Sequence, residues 1–467
     1  MKYSLIFLVA ISLVACHRSS DNLIDKNIHL ARENKKELIK IRDNFEESSQ
    51  KRLASDFLLK YMGNKGYLDS VKQFHSDVEN VKSDFIISDL NNAFVIWELS
   101  KWKHEISFET FCKYILPYRV GNEKVEDWRK YFYERYKHFS KNSFNMKANA
   151  RLIAKDILNW YTYKSDYYPI VQTQSLSNIL KNKSGVCGDI ANTLIYAFRA
   201  NNIPAAKEYV SFWGGRNMGH VEAVFLTDSN RFTPLTEDTF RFFAAKVYRT
   251  TYSSIEPESE KIKKLGLMID DIPSTFFAIT GEDVTSERTS VSNIKVQLNN
   301  VFDQKVAYLC VFNNGEWKPI SWGKIASNSI VKFDQIGRNI VYNTAYYNNN
   351  SLVLTGQPFI LEKSGNRKAF YPIETSSRCI KIYHIGSSQG IGHNDNGLLP
   401  NTNYRLSFFK NNSWIELETK TTLQDKKGLS YLTYTKVPDN ALLRVVKVNG
   451  KDLERIFTYE NNMQIWH

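Results

Sequence analysis

Cys187 stands in the stretch Gly185-Val186-Cys187-Gly188-Asp189-Ile190-Ala191, and His220 opens the apolar run that follows Asn217-Met218-Gly219. A thiol becomes a nucleophile when its proton is removed, and an imidazole is the usual side chain to take it. The chemistry these two residue types support is attack on an acyl carbon and transfer of the acyl group. The elements that carry them can be read from periodicity. Ile190, Leu194 and Ala197, with Ala191, Ile195 and Phe198 beside them, recur at helical spacing. Cys187 is therefore expected at a helix N-terminus, where unpaired backbone N–H groups and the helix dipole favour the thiolate. Gly185 and Gly188 are expected to leave the space around the sulfur open. The helix should run to Arg199 or Ala200, stop at Asn201-Asn202 and give way to an extended segment at Ile203-Pro204. After a loop with Trp213, Gly214 and Gly215, residues 220–226 read as a strand, turned at Asp228-Ser229-Asn230 into a second strand over 231–237.

Three of these pieces in order, Gly-x-Cys-x-Asp-x-Ala at 185–191, Arg-Ala-x-x-Ile-Pro at 199–204 and Gly-His at 219–220, resemble the transglutaminase-like superfamily of cysteine enzymes. The resemblance implies a papain-like α+β core in which Cys187 attacks an amide carbonyl, His220 exchanges the proton, and an acidic residue on the next strand orients the imidazole. That third residue departs from the pattern. Pairing around a three-residue turn sets His220 opposite Asp238, with Glu237 one step off, while the family's acidic position falls nearest Leu235 or Thr236. Glu237 and Asp238 are the candidates if the strand is bulged, and Glu222 shares a strand face with His220. Upstream, Gln172 and Gln174 are candidate donors to an oxyanion beside the Cys187 amide, and Trp213 is a candidate for lining the substrate site. The competing reading of the same residues is a buried cysteine on a packed helix, a surface histidine and solvated glutamines.

The rest of the chain sets the context. Ser4 to Val14 is an apolar run too short to span a bilayer, and it closes on Leu13-Val14-Ala15-Cys16. Those four residues resemble the lipobox of bacterial lipoproteins, which implies a signal peptide over 1–16 and lipidation of Cys16. The expected location is then the bacterial cell envelope, at the outer membrane, facing the periplasm or the surface. The other four cysteines, Cys112, Cys187, Cys310 and Cys379, show no metal-ligand spacing, so neither a metal nor an organic cofactor is expected. With 62 Lys plus Arg against 49 Asp plus Glu the chain is basic. The positive residues are dispersed, which argues for a solvated surface and against a nucleic-acid partner.

Residues 21–140 read as a helical domain: a long amphipathic stretch over 34–61, a helix through Ala93 to Trp102, one opened by Ser107 as N-cap, and one over 125–136 with Trp128, Phe132 and Tyr136 on one face. Residues 145–285 are assigned to the Cys domain. Beyond them the sequence repeats: Leu309, Trp317 and Phe359 align with Leu406, Trp414 and Ile456 at a constant offset of 97 (406 − 309, 414 − 317, 456 − 359). The repeat predicts two antiparallel β-sandwich modules, 286–375 and 376–467. Trp317, Trp322, Trp414, Tyr342, Tyr346 and Tyr347 are either packed in those modules or free to stack on a glycan. The expected protein is thus multidomain α+β, a lipid-anchored envelope protein acting on amide bonds of a peptide, protein or glycopeptide as peptidase, amidase or acyltransferase. A rival expectation is an inactive binding or scaffold lipoprotein that holds glycan or peptide through its sandwiches.

Overall fold

The computed structural model describes residues 23–164, 173–227, 231–235, 240, 244–254, 256–298, 304–386, 397–450 and 454–467. They fall into two compact units, and the chain passes between them more than once. The first comprises Met1–Glu208, Val221–Glu237 and Arg249–Ile255; the second comprises Tyr209–His220, Asp238–Tyr248 and Glu256–His467. Cys16 lies outside the described residues.

The first unit is built on helices Lys35–Asp43, Gln50–Tyr61, Ser83–Glu98, Trp128–Asn142, Met146–Trp160 and Cys187–Ala200. The amphipathic stretch over 34–61 is two helices and not one, because Ser49 is extended and its hydroxyl accepts from Arg52 N, starting a new helix. Ser107 caps Phe108–Tyr114 through Thr110 N, as its sequence position suggests. The helix expected over 125–136 starts later, at Trp128, where Asp127 accepts from Lys130 N, and runs to Asn142. Its aromatic stripe is interior: Trp128 stacks on Tyr196 of the Cys187–Ala200 helix with ring centroids 4.9 Å apart. Every residue from Ala191 to Ala200 on that helix is buried.

Buried guanidinium groups tie these helices to the loops between them. Arg129 holds Asp89 through two bonds of 2.8 and 3.0 Å and donates to the carbonyls of Ile115 and Leu116. Arg119 holds Asp77 in the same way, at 2.8 and 2.6 Å, and Tyr118 adds a hydroxyl at 2.8 Å. Arg199 donates to the carbonyls of Ala205 and Arg119, fixing the exit from the Cys187–Ala200 helix. The next strand, Ala205–Val210, neighbours His220–Leu226, which pairs antiparallel with Phe232–Pro234 in the register Val224↔Pro234, Phe225↔Thr233, Leu226↔Phe232. Thr227 N donates to Arg231 O at 3.0 Å, and the expected turn at 228–230 lies outside the described residues.

The second unit is mainly antiparallel sheet. Val306–Asn313 and Glu316–Lys324 form a hairpin, and Asn403–Lys410 and Ser413–Thr421 form another, each bound 97 residues on from its counterpart (403 − 306, 410 − 313, 413 − 316, 421 − 324). The bulge repeats too, lying between Leu309 and Cys310 in one hairpin and between Leu406 and Ser407 in the other. In each copy a second, smaller sheet accompanies the larger one. Val291–Gln297 pairs with Ile330–Gly337, and Ile373–Ile382 pairs with Ser430–Asp439. Apolar side chains of the paired sheets meet, as with Ile294, Leu309 and Phe333 in the first copy and Ile380, Leu406 and Leu432 in the second. Between the copies sit four rings related by the repeat. Phe312 packs edge-on to Trp317 and Trp414, and Phe409 to Trp414 and Trp317, at centroid distances of 5.2 to 5.9 Å. Two of the tryptophans weighed as sugar platforms are thus packing residues. Tyr342 is also interior, its hydroxyl donating to Gly337 O at 2.7 Å.

The buried Arg129–Asp89 pair gives a stability test. Asp89→Ala leaves a guanidinium uncompensated in the helical core, and the expected loss is about 3–5 kcal/mol in urea unfolding. Asp84→Ala, which removes the exposed partner of Lys40, is expected to leave the midpoint unchanged.

Candidate active site

Cys187 belongs to the first unit. Val186 is extended and Cys187 is the first helical residue, so the amides of Cys187 and Gly188 are among those left without helical partners. They point at the sulfur, and the amide of Val221 reaches it from the strand His220–Leu226. These amides favour the thiolate, but burial outweighs them and pushes the Cys187 thiol above its ordinary value. The helix-end amides thus act in the direction the sequence predicts, and burial acts against them.

Asp189 sets the turn that presents the sulfur. It is buried, and its carboxylate accepts from Val186 N at 3.3 Å, Gln174 N at 3.1 Å and Gln174 Nε2 at 3.1 Å. Gln174 Nε2 also donates to Ser184 O at 2.9 Å, and its oxygen accepts from Asn182 at 2.8 Å. The Gln174 amide is thereby engaged in holding the Cys187 turn. The two glycines differ: a Cβ on Gly185 would strike Tyr161, Gln174 and Asp189, whereas one on Gly188 would meet open space. Exposed Tyr163, paired with Gly185, senses the sulfur electrostatically. Lys207, on the strand Ala205–Val210, is pulled down by burial, with Glu123, Asp189 and Cys187 acting the other way. Neither Tyr163 nor Lys207 carries a sequence signal, since strand alternation does not say which face will meet a helix end.

His220 belongs to the second unit. His220 is half-buried, with Trp213 stacked on it at 5.7 Å and Phe240 edge-on at 6.0 Å. Trp213 itself is 2 % exposed, so it backs the imidazole instead of presenting a face to substrate. Gly219 lets the chain pass close to its neighbour: a Cβ there would lie 2.5 Å from Ser211 O and 2.6 Å from Val210 O. Glu222 is two residues beyond His220 and on the same strand face. Gln172, Glu237 and Asp238 lie outside the described residues, and Leu235 packs against the core of the first unit. Among the described residues no group of three or more His, Cys, Asp and Glu is placed to hold a metal.

A cysteine at a helix N-terminus and a histidine opening the strand whose second amide reaches the sulfur are the residue types that thiol acyl transfer uses. Residues 137–236 match the family model of the transglutaminase-like superfamily, so the chain carries a transglutaminase-like domain. Solved structures similar to it include a candidate cysteine protease from Cytophaga hutchinsonii, at 20% identity and TM-score 0.19, covering 23% of this chain and 35% of that one. A second is a candidate protease from Parabacteroides distasonis, at 11% identity and TM-score 0.22, covering 58% of this chain and 53% of the other. A third is red sea bream transglutaminase, at 8% identity and TM-score 0.20, covering 88% and 78%. This chain spans about a third of the first of these proteins and about half of the second. No curated protein matches it.

Because burial raises the thiol, alkylation of Cys187 by iodoacetamide is expected to have a pH midpoint above the ~8.5 of a free thiol. Cys379, which is exposed, should react ahead of it at neutral pH, and Cys112, pushed up to about 12, should lag. Peptide mapping after timed labelling reads all three. A Cys187 midpoint below that of a free thiol would show that the three amides outweigh burial.

Proposed function

We propose that this protein breaks amide bonds, or transfers their acyl groups, through a thioester on Cys187 with His220 as base and then acid. The observation that carries the reading is the Val221 amide at the Cys187 sulfur, because Val221 follows His220 directly along one strand. With the thiol held protonated by burial, proton removal belongs to the attack itself. As Sγ bonds to the carbonyl carbon, its proton passes to His220 Nδ1 or Nε2, and the carbonyl oxygen takes the negative charge. Collapse breaks the C–N bond, His220 returns the proton to the leaving nitrogen, and the acyl group stays as a thioester. Water or an amine then attacks the thioester while His220 takes its proton, and Sγ leaves and is reprotonated. In this reading the Cys187 and Gly188 amides at the helix end turn from the sulfur to donate to the charged oxygen.

The substrates that fit this chemistry are peptides, proteins or glycopeptides. Glu237, Asp238 and Glu222 remain the carboxylates proposed to orient His220. The lipobox-like Leu13-Val14-Ala15-Cys16 supports a lipid-anchored envelope protein. Among the described residues no helix is long and apolar enough to cross a membrane.

The parent, Cys187→Ala and His220→Ala proteins are to be incubated with pooled peptides and glycopeptides, with and without a primary amine, and products read by mass spectrometry. Cleavage or amine incorporation that Cys187→Ala abolishes, with an acyl adduct on Cys187 in the parent, is expected. Equal products from parent and Cys187→Ala would sink the proposal in favour of a scaffold. Glu237→Gln, Asp238→Asn and Glu222→Gln sort the orienting acid: the variant lacking it should lose turnover about 10²-fold or more while its Cys187 alkylation stays at the parent rate. For anchoring, Cys16→Ser is expected to move the protein from the membrane fraction to the soluble exported fraction.

A further inference from the structure

The loop that delivers His220 contains a backbone that L-residues avoid. Met218, two residues before the histidine, has φ +67. A side-chain-bearing residue stays in that region when its surroundings over-determine it. Here they do. Met218 N donates to Asn313 Oδ1 at 3.0 Å and to Asn314 Oδ1 at 3.1 Å, while Met218 O accepts from Asn313 Nδ2 at 2.9 Å and from Trp213 N at 3.0 Å. Asn313 Nδ2 also lies 3.0 Å from Trp213 O and 3.0 Å from Arg216 O, so one amide closes the loop at three carbonyls. From the other side Arg455, fully buried, donates to Gly214 O at 2.6 Å and to Asn217 Oδ1 at 3.2 Å. Asn217 Oδ1 in turn accepts from Asn314 N at 2.9 Å.

These contacts are not what a hairpin turn needs for itself. Asn314-Gly315 makes the two-residue turn, with φ +52 and +80, and the repeat-related turn Asn411-Asn412 does the same with φ +49 and +62. At the position before the turn, however, the first hairpin has Asn313, buried to 0 %, and the second has Lys410, which pairs with Glu374. The two hairpins share strands and bulge and differ where one of them meets the His220 loop.

We propose that Asn313, with Arg455 behind it, is a positioning residue for His220: the first β-module is part of the catalytic apparatus and holds the left-handed backbone at Met218 from which the imidazole is aimed. The proposal rests on the catalytic role given above to His220, yet its central claim concerns the histidine's placement and can be read without turnover. In the parent, the His220 imidazole signal, assigned by its loss in His220→Gln, should be a single sharp resonance in histidine-labelled protein. Asn313→Ala should broaden or split it and lower kcat about 10²-fold, as a misplaced base does, with the Cys187 alkylation rate unchanged. Glycine adopts positive φ without strain, so Met218→Gly in the Asn313→Ala background should restore a sharp signal and most of the turnover. Lys410→Ala should leave both as in the parent. If Asn313→Ala proves unfolded by circular dichroism, Asn314→Gly, which removes one acceptor and keeps the positive φ of the turn, takes its place with the same expectations. A His220 signal in the folded variant that matches the parent overturns the proposal, as does a loss that Met218→Gly fails to restore. A parent with the sharp signal, and an Asn313→Ala protein without it, but no Cys187-dependent turnover in either, keeps the positioning claim and overturns the enzymatic reading alone.

Discussion

One buried carboxylate governs how the sulfur is presented. Asp189 reaches back over the turn to the amide of Val186 and sideways to both the backbone and the side chain of Gln174. A carboxylate stripped of water is costly unless such donors surround it. Meeting that need draws residues 174 and 184–186 together and fixes where the helix begins. Gly185 is required for the same reason, since the side-chain ends of Tyr161, Gln174 and Asp189 fill the space a Cβ would take. The spacing Gly-x-Cys-x-Asp is thus a folding requirement first, and the open space at Gly188, next to Cys187 in the chain, is what it leaves for chemistry.

The parts of the chain that follow local rules were legible in the sequence. The Cys187–Ala200 helix, the strand from His220 and the 97-residue offset all follow from periodicity and repeat composition. What was not legible depends on long-range packing. Gln174 and Trp213 were credible substrate-facing residues by type, but one is drawn to Asp189 and the other lies under the imidazole. Asn313 reads in the sequence as one more residue of an Asn-rich turn. Its hydrogen bonds span 95 positions or more, and no local pattern announces them. Arg455 has no motif around it at all. The sign of the Cys187 shift was hidden for a related reason: the amides are local to the helix end, and the burial that outweighs them is made by the whole unit.

Burial that pushes the Cys187 thiol up has a functional side if the proposed reaction is correct. Thiolates are the form that oxidants and electrophiles attack, so a raised pKa protects the nucleophile until a base and a substrate are both in place. In the proposed reaction it also places the burden of activation on the imidazole, whose position then matters more than it would beside a preformed ion pair. That is consistent with the density of contacts on the segment Trp213–Met218, where ring stacking, a glycine close approach and buried amide bonds all act within a few residues.

The four-ring contact between the two β-modules has a reciprocity that the repeat alone does not require. Phe312 meets Trp414 and Phe409 meets Trp317, so each copy offers the other the same pair of residues in the same roles. Such an exchange of like for like is the mark of an isologous surface, the kind that joins identical subunits about a two-fold axis. The tandem copies therefore behave as a dimer written into one polypeptide, with the linker enforcing an encounter that free modules would have to find by diffusion. A lone module would expose a face already complementary to itself.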